Sequence, residues 1–402
     1  MAIEKVNGVE NIDAPQGVTS IEIEEASIAP NITEMDDGSV VIGEMEEQIA
    51  PLQVPFNANL AEFMDEADLG RISSELVGEI QEDINSRKEW EDQYKSGLEL
   101  LGMNYEDRAE PFEGASGIVH PLLAESVTQF QAQAYRELLP AGGPVKTAII
   151  GQETPEIVAQ AERVKNYMNY QITYEMEEYD PELDQMLFYL PIVGSSFKKV
   201  YFDPSMQRAV SKFVHAEDLI VPYNATDLKT STRICHVIRM DSNEIRKLQL
   251  TGFYKDIDLP TSDSDGTHYD EVKETIKDIE GIHSESSYNE ELTLYEIHTD
   301  LDLPGFEDQN QMGENTGLKM PYIVTIVEKS GEVLSIKRNF NEGDPLRSKI
   351  PYFVHYKFLP GLGFYGFGLT HMIGGLSRAS TSILRQLIDA GTLSNLPAGF
   401  KA

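Results

Sequence analysis

Cysteine is nearly absent: Cys235 stands alone in 402 residues. An intrachain disulfide framework is excluded, and a cysteine-based zinc site with it. Basic residues are scarce. Lys+Arg is 32 against Asp+Glu 68, a formal charge of −36. Surfaces that wrap nucleic acid gain affinity when clustered Lys and Arg release phosphate counterions, so that class is excluded. Two readings of the acidity remain: solubility, or a wall that a polyanion slides past without sticking. No run approaches the ~18 apolar residues of a membrane-spanning helix. Mean hydropathy is −0.32, which fits a soluble folded protein with polar additions. Met1-Ala2-Ile3-Glu4-Lys5 has neither a basic nor an apolar leader segment, so no export signal is expected.

Catalytic signatures are missing too. There is no Walker A sequence, and Gly114-Ala115-Ser116-Gly117 lacks the spacing of a nucleophile elbow. His120, His215, His236, His268, His283, His298, His355 and His371 are scattered, with none of the helical ligand spacings. Asp36-Asp37 lacks the frame of a calcium loop. No catalytic residue, metal ligand or cofactor is expected.

What is present is sufficient for two or three domains with a real core. Residues Val6 to Gly70 contain no Lys or Arg, while acids recur. That composition predicts a disordered acidic arm over 1–58, in which Ser20 to Glu24 and Ser39 to Ile42 are β-prone. Amphipathic helical spacing runs from Asn59 to about Leu101, and a second helix from Pro121 to Leu139. Val145 to Ile150 reads as a short strand. Thr154-Pro155 caps a third helix, and Pro181 to Pro191 reads as a fourth. After Gly194 the period becomes two. Strands are expected over Phe197 to Phe202, Ala209 to Val214, Leu219 to Val221 and Arg233 to Met240. Ser242-Asn243-Glu244 caps a short helix, Pro260 to Gly266 is a polar linker, and Tyr269 to Ile279 is a charged helix. Leu292 to Phe358 reads as β structure, with a hairpin turn at Lys329 to Glu332. A final helix covers Leu369 to Ala390 and ends at Gly391. The fold class is α+β.

Two features concentrate chemistry near the end. Gly361-Leu362-Gly363-Phe364-Tyr365-Gly366 fits G-x-G-x-x-G between a strand and a helix, the context of a dinucleotide fingerprint. The surrounding βαβ unit is missing, and bulky Phe364, Tyr365 and Phe367 sit where phosphate would lie. A glycine-rich hinge pinned by aromatics is the competing reading, with Gly361, Gly363, Gly366, Gly368, Gly374 and Gly375 as candidates. In the final helix Leu369, Met372, Ile373, Leu376, Ile383, Leu384, Leu387 and Ile388 form one apolar face. Arg378, Ser382, Arg385 and Asp389 share the other. That polar face is either solvated or turned to a neighbouring copy or a passing phosphate.

The run Tyr352-Phe353-Val354-His355-Tyr356-Lys357-Phe358-Leu359-Pro360, continued by the glycine-rich loop to Leu369, resembles the portal protein of short-tailed, double-stranded DNA bacteriophages. So do Leu387-Ile388-Asp389-Ala390-Gly391 with Asn395-Leu396-Pro397-Ala398-Gly399-Phe400, Ala216 to Ala225, and Asn243 to Gln249 with Gly252-Phe253-Tyr254. The segments occur in order over about Pro111 to Ala402. The resemblance implies a ring of this chain, usually of twelve subunits, at one capsid vertex of the virion, assembled in the host cytoplasm. Its partners would be major capsid and scaffolding proteins, the terminase large subunit, head-tail adaptors, and double-stranded DNA in the channel, with no membrane. It implies no enzymatic activity, since the motor hydrolyses ATP. It divides the chain into the arm (1–58), a wing-like α+β region (59–240), a stem- and clip-like β-rich region (241–360), and the glycine hinge with a channel-side stem helix (361–402). Family members continue past this point into more wing and a crown, so a fragment or one half of a split gene is expected. The alternatives are a dinucleotide-binding enzyme using Gly361 to Gly366, and another virion structural protein.

Overall fold

The computed structural model describes residues 54–103, 108, 110, 112–204, 206–259, 270–281, 291–309, 314–361 and 363–395, with two short strands nearer the N-terminus. These are β1 (Ile32–Glu34) and β2 (Val40–Ile42), paired antiparallel. The remainder of the expected acidic arm up to residue 53, the β-prone piece Ser20 to Glu24, the linker Pro260 to Gly266, Leu362 and residues 396–402 lie outside the described residues. The chain divides into two units, Met1–Val54 and Pro55–Ala402. The second is α+β and holds everything discussed below.

The first helical run is broken where the sequence suggested continuity. Asn59 caps a short 3-10 turn, Leu60–Glu62, by accepting from the Ala61 amide at 3.2 Å. Helix α1 (Glu66–Ser86) buries Leu69, Ile72, Leu76, Ile80 and Ile84 at helical spacing. Helix α2 (Lys88–Glu99) follows after Arg87, which leaves the helical conformation at φ −104°. The cause of the break is Arg87 itself. Its guanidinium is buried and donates to the carbonyls of Glu217 at 2.5 Å and Leu219 at 2.9 Å, a reach a continuous helix would not allow.

Next come α3 (Leu122–Leu138), α4 (Pro155–Tyr170) and α5 (Tyr179–Val193). The expected strand Val145 to Ile150 is not one. Its first backbone bonds are taken by a side chain: Asn169 accepts from the Val145 amide at 2.9 Å and donates to its carbonyl at 3.2 Å. Helix α4 has the expected Thr154 cap and Pro155 start, yet buries no residue. Helix α5 ends on Gly194 in the left-handed region, φ 90°.

Strands β3 (Ser195–Asp203) and β4 (Arg208–Val214) form the expected hairpin, and β10 (Phe353–Lys357) pairs with the other edge of β3. A five-stranded antiparallel sheet has the order β5 (Leu219–Ile220), β6 (Arg233–Asp241), β7 (Glu291–Leu301), β8 (Met320–Val327), β9 (Val333–Arg338). Both sheets therefore join strands from either side of residue 240. Between β6 and β7 lie α6 (Ser242–Leu250), capped by Asp241 rather than Ser242, and α7 (Asp270–Glu280). The last helix, α8 (Leu369–Asn395), continues through Gly391.

The main core gathers Tyr94, Leu98, Leu123, Ile192, Phe197, Leu219 and Phe353 from helices and both sheets. The two sheets are also joined by charge. Lys199 on β3 reaches both carboxylate oxygens of Glu296 on β7, at 2.6 and 2.7 Å. Glu296 bonds His298 at 2.9 Å. Burial pushes the Glu296 carboxyl up, but Lys199 and the His298 hydrogen bond carry it well below the usual range.

Candidate functional site

The glycine-rich loop folds onto the end of α5, backbone against backbone. A Cβ at Gly194 would fall within 3.0 Å of the Gly366 and Phe367 main chain, one at Gly366 would strike the Gly194 and Leu359 carbonyls, and one at Gly368 those of Ile192 and Pro191. Gly361 meets the Tyr365 carbonyl in the same way. The close approach explains why these positions need glycine. It also fills with the protein's own chain the space that a dinucleotide fingerprint keeps for pyrophosphate. Gly363 and Gly375 face open space, and Gly374 would place a Cβ in ordinary contact with Leu100.

The loop is pinned by side chains as well. Leu359 and Phe367 exchange two backbone bonds, at 3.2 and 2.9 Å. The Tyr365 ring stacks on Trp90 at 4.2 Å, and its hydroxyl accepts from Arg87 at 3.2 Å. Ser195 Oγ accepts from the Gly366 amide at 2.8 Å and pairs with His355 Nε2 at 3.1 Å. The His355 ring packs against both Phe197 and Phe364, which also stack on each other at 5.9 Å. Burial and then nearby Lys357 push its pKa down to about 3.

Helix α8 leaves that loop with an unusual polarity. Its buried residues are Gly374, Ser377, Thr381 and Asp389. Thr381 and Asp389 suit this side because they lie against loop backbone that needs partners, while Gly374 faces the Leu100 side chain. Thr381 Oγ1 accepts from the His120 amide at 3.0 Å, and Asp389 Oδ1 from the Ser116 amide at 2.7 Å. Arg385 Nε donates to the Ile118 carbonyl at 2.7 Å. The apolar face divides: Leu369 and Ile373 pack on the main core, while the rest of its stripe points away from the body. Met372, Leu376, Ile383 and Leu387 are each at least 58% exposed, and they recur at i, i+4, i+11 and i+15.

All four polar candidates line one groove of about 450 Å³ between α2 and α8, together with Arg108 and Glu99. Arg378 also borders its continuation, beside Asp92 and His371. The structure brings Arg378, Ser382, Arg385 and Asp389 together, but gives them different surroundings. Arg385 and Asp389 bond loop backbone, while Arg378 and Ser382 are on the exposed rim. Sequence reasoning missed Ser377 and Thr381. The signal available was the Gly374, Ser377, Thr381 spacing of small residues on one side of an otherwise apolar helix. It also missed Arg87 and Ser195, which no local pattern announces.

The family model for the phage SU10 portal protein matches residues 203–400, just under half of the chain. No curated protein matches it. The match begins at the β3–β4 turn and takes in both sheets' later strands, the glycine-rich loop and α8.

Proposed function

From the premise that this chain is of the phage portal protein family, matched over residues 203–400, we propose that it is a portal subunit that closes with copies of itself into a ring at the capsid vertex. DNA enters and leaves through that ring, the terminase large subunit and head-tail adaptors dock on it in turn, and the capsid and scaffolding proteins surround it. The subunit performs no chemistry. The family is a structural one, and the single enzyme-like motif is packed against its own α5.

One observation carries the ring reading: the outward apolar stripe of α8, Met372, Leu376, Ile383 and Leu387. A contiguous apolar face that the subunit leaves uncovered marks an interface. A head-to-tail interface between identical subunits generates a closed ring when the rotation closes. In this assignment α8 is the stem helix and Gly361 to Gly368 its fixed root. Gly374 and Gly375 are the positions where the helix can bend. The acid excess of the chain keeps passing DNA from adhering.

Native mass spectrometry and negative-stain microscopy test the reading. The wild-type chain under assembly conditions should give rings with a central hole. The double substitution Leu376→Asn with Leu387→Asn should give folded monomers with an unchanged circular dichroism spectrum. Only monomers from the wild type, or rings from the double variant, would sink the proposal. Arg378→Glu tests the groove rim separately, and packaged-DNA yield equal to wild type removes Arg378 from the assignment.

A further inference from the structure

A second buried polar centre lies away from α8, at the turn Ala216–Asp218 between β4 and β5. The turn is held from one side by Arg87, which donates to the carbonyls of Ala216, Glu217 and Leu219 at 3.4, 2.5 and 2.9 Å. On another side it meets α7. Lys273 Nζ donates to Asp218 Oδ1 at 2.8 Å. The rest of the α7 attachment is apolar: Val272, Ile276 and Ile279 join the core cluster that contains Trp90, Tyr94 and Leu98 of α2.

Glu217, between these two attachments, is 3% exposed; among the described residues no well-aligned hydrogen bond reaches its Oε2, and the neutral Tyr94 hydroxyl is the group that faces its carboxyl. Among the described residues His215 Nδ1, buried beside it, has no hydrogen-bond partner and lies 3.8 Å from Glu217 Oε1. A buried carboxylate with no well-aligned donor on one oxygen is unfavourable unless it carries a proton. Every packed element contributes a group to this environment. Arg87, Glu91 and Tyr94 come from the α1–α2 junction, and Glu182 and Tyr189 from α5. The turn adds His215 and Asp218, and α7 adds Lys273 and Glu280. Burial, then the charge of Asp218, push the Glu217 carboxyl up to about 8, against a backbone hydrogen bond, Lys273 and Arg87.

We propose that Glu217 is a proton-controlled latch: α7 stays docked on α2 and the 216–218 turn while Glu217 carries a proton, and docking weakens when that proton passes to solvent. Once ionised, two adjacent carboxylates share one lysine in a water-poor site. Departure of α7 opens the site to water and relieves that. The sign follows from linkage. The docked carboxyl is the weaker acid, so docking takes up a proton at any pH between the free value of 4.5 and about 8. Docking therefore weakens with rising pH across that window, by about tenfold per pH unit at the steepest, and is level above it. The latch is independent of the ring reading and requires no partner.

Hydrogen-exchange mass spectrometry on the full chain tests it, with protection factors for 270–280 corrected for intrinsic exchange at pH 5.5, 7 and 8.5. In the wild type, protection of α7 should fall by tenfold or more over this range, while that of α6 stays level. Glu217→Gln should hold α7 protection flat. Lys273→Met, which removes the ion pair but keeps Glu217, should lower protection at every pH and retain the slope. A flat wild-type profile overturns the latch, and so does an unchanged slope in Glu217→Gln. Loss of the slope in Lys273→Met alone would transfer the switch to the Asp218–Lys273 pair and equally overturn it. Should Glu217→Gln fail to fold, the wild-type and Lys273→Met profiles still decide.

Discussion

Helices α1 and α8 carry similar amphipathic patterns and use them in opposite directions. Helix α1 turns Leu69, Ile72, Leu76, Ile80 and Ile84 into the core. Helix α8 turns Gly374, Ser377, Thr381 and Asp389 inward and leaves Met372, Leu376, Ile383 and Leu387 outside. Periodicity identifies a helix and its two faces. It does not say which face meets the body, because that depends on what the body offers. Helix α1 meets sheet and apolar side chains. Helix α8 meets loop amides and carbonyls of 116–120, which require polar partners. On the ring proposal, that outward apolar face is where the next copy packs.

The widest expected effect tests that contrast directly. Leu76→Ala on α1 should cost the subunit about 2–5 kcal/mol in chemical denaturation, the usual cost of a core cavity. Leu387→Ala on α8 should change subunit stability by less than about 0.5 kcal/mol while weakening self-association. Equal losses for the two would mean that the outward face of α8 is core after all. A smaller effect is expected at the root of α8. Gly366→Ala places a Cβ against the Gly194 and Leu359 carbonyls and should cost about 1–3 kcal/mol, read as a lowered Tm. Gly363→Ala, which faces open space, serves as the neutral control.

The smallest step per increment concerns polar burial of a different kind. Beneath α8 the buried bonds are mostly to backbone. Between the sheets they are ionisable. Burial and nearby Lys199 push His236 down to about 4, and burial pushes His298 down despite Glu296. A histidine held neutral in the fold but free to protonate when unfolded contributes stability above pH 6.5. That stability fades as pH falls from there toward about 4, by at most about 1.4 kcal/mol per pH unit for each histidine. Glu296, with its carboxyl depressed from 4.5, adds a further loss below that pH. Urea midpoints should fall from pH 7 to 4, less steeply than the two histidines alone would give because uptake of a proton by Glu217 opposes them above pH 4.5, and His236→Gln should flatten the slope further. A midpoint independent of pH would show that the cluster is not held as the geometry implies.

Much of the fold was legible because local rules dominated it. Thr154-Pro155 opened a helix, the change to period two after Gly194 marked the start of a strand, and the β-prone runs became β3, β4, β6 and β7. Local rules failed where a distant group intervened. Arg87 interrupts a continuous amphipathic run because its guanidinium serves carbonyls about 130 residues away. Val145 to Ile150 loses its strand because Asn169 takes the bonds a neighbouring strand would have made. At the candidate site, helical spacing groups the four polar residues of α8 on one face, and in the structure they line one groove. Their division into backbone anchors and exposed rim was not readable, since it depends on where the 116–120 loop lies.

The sequence by itself determined the acidity, the helix and strand periods, the glycine positions and the portal resemblance, because composition, spacing and ordered motifs are properties of the chain alone. The tertiary structure alone decided that Gly361, Gly366 and Gly368 meet main chain, that α8 presents Met372, Leu376, Ile383 and Leu387 outward, and that Glu217 is enclosed beside Asp218. Those outcomes depend on which distant backbone and side chains arrive at each surface, and no local pattern encodes that arrival.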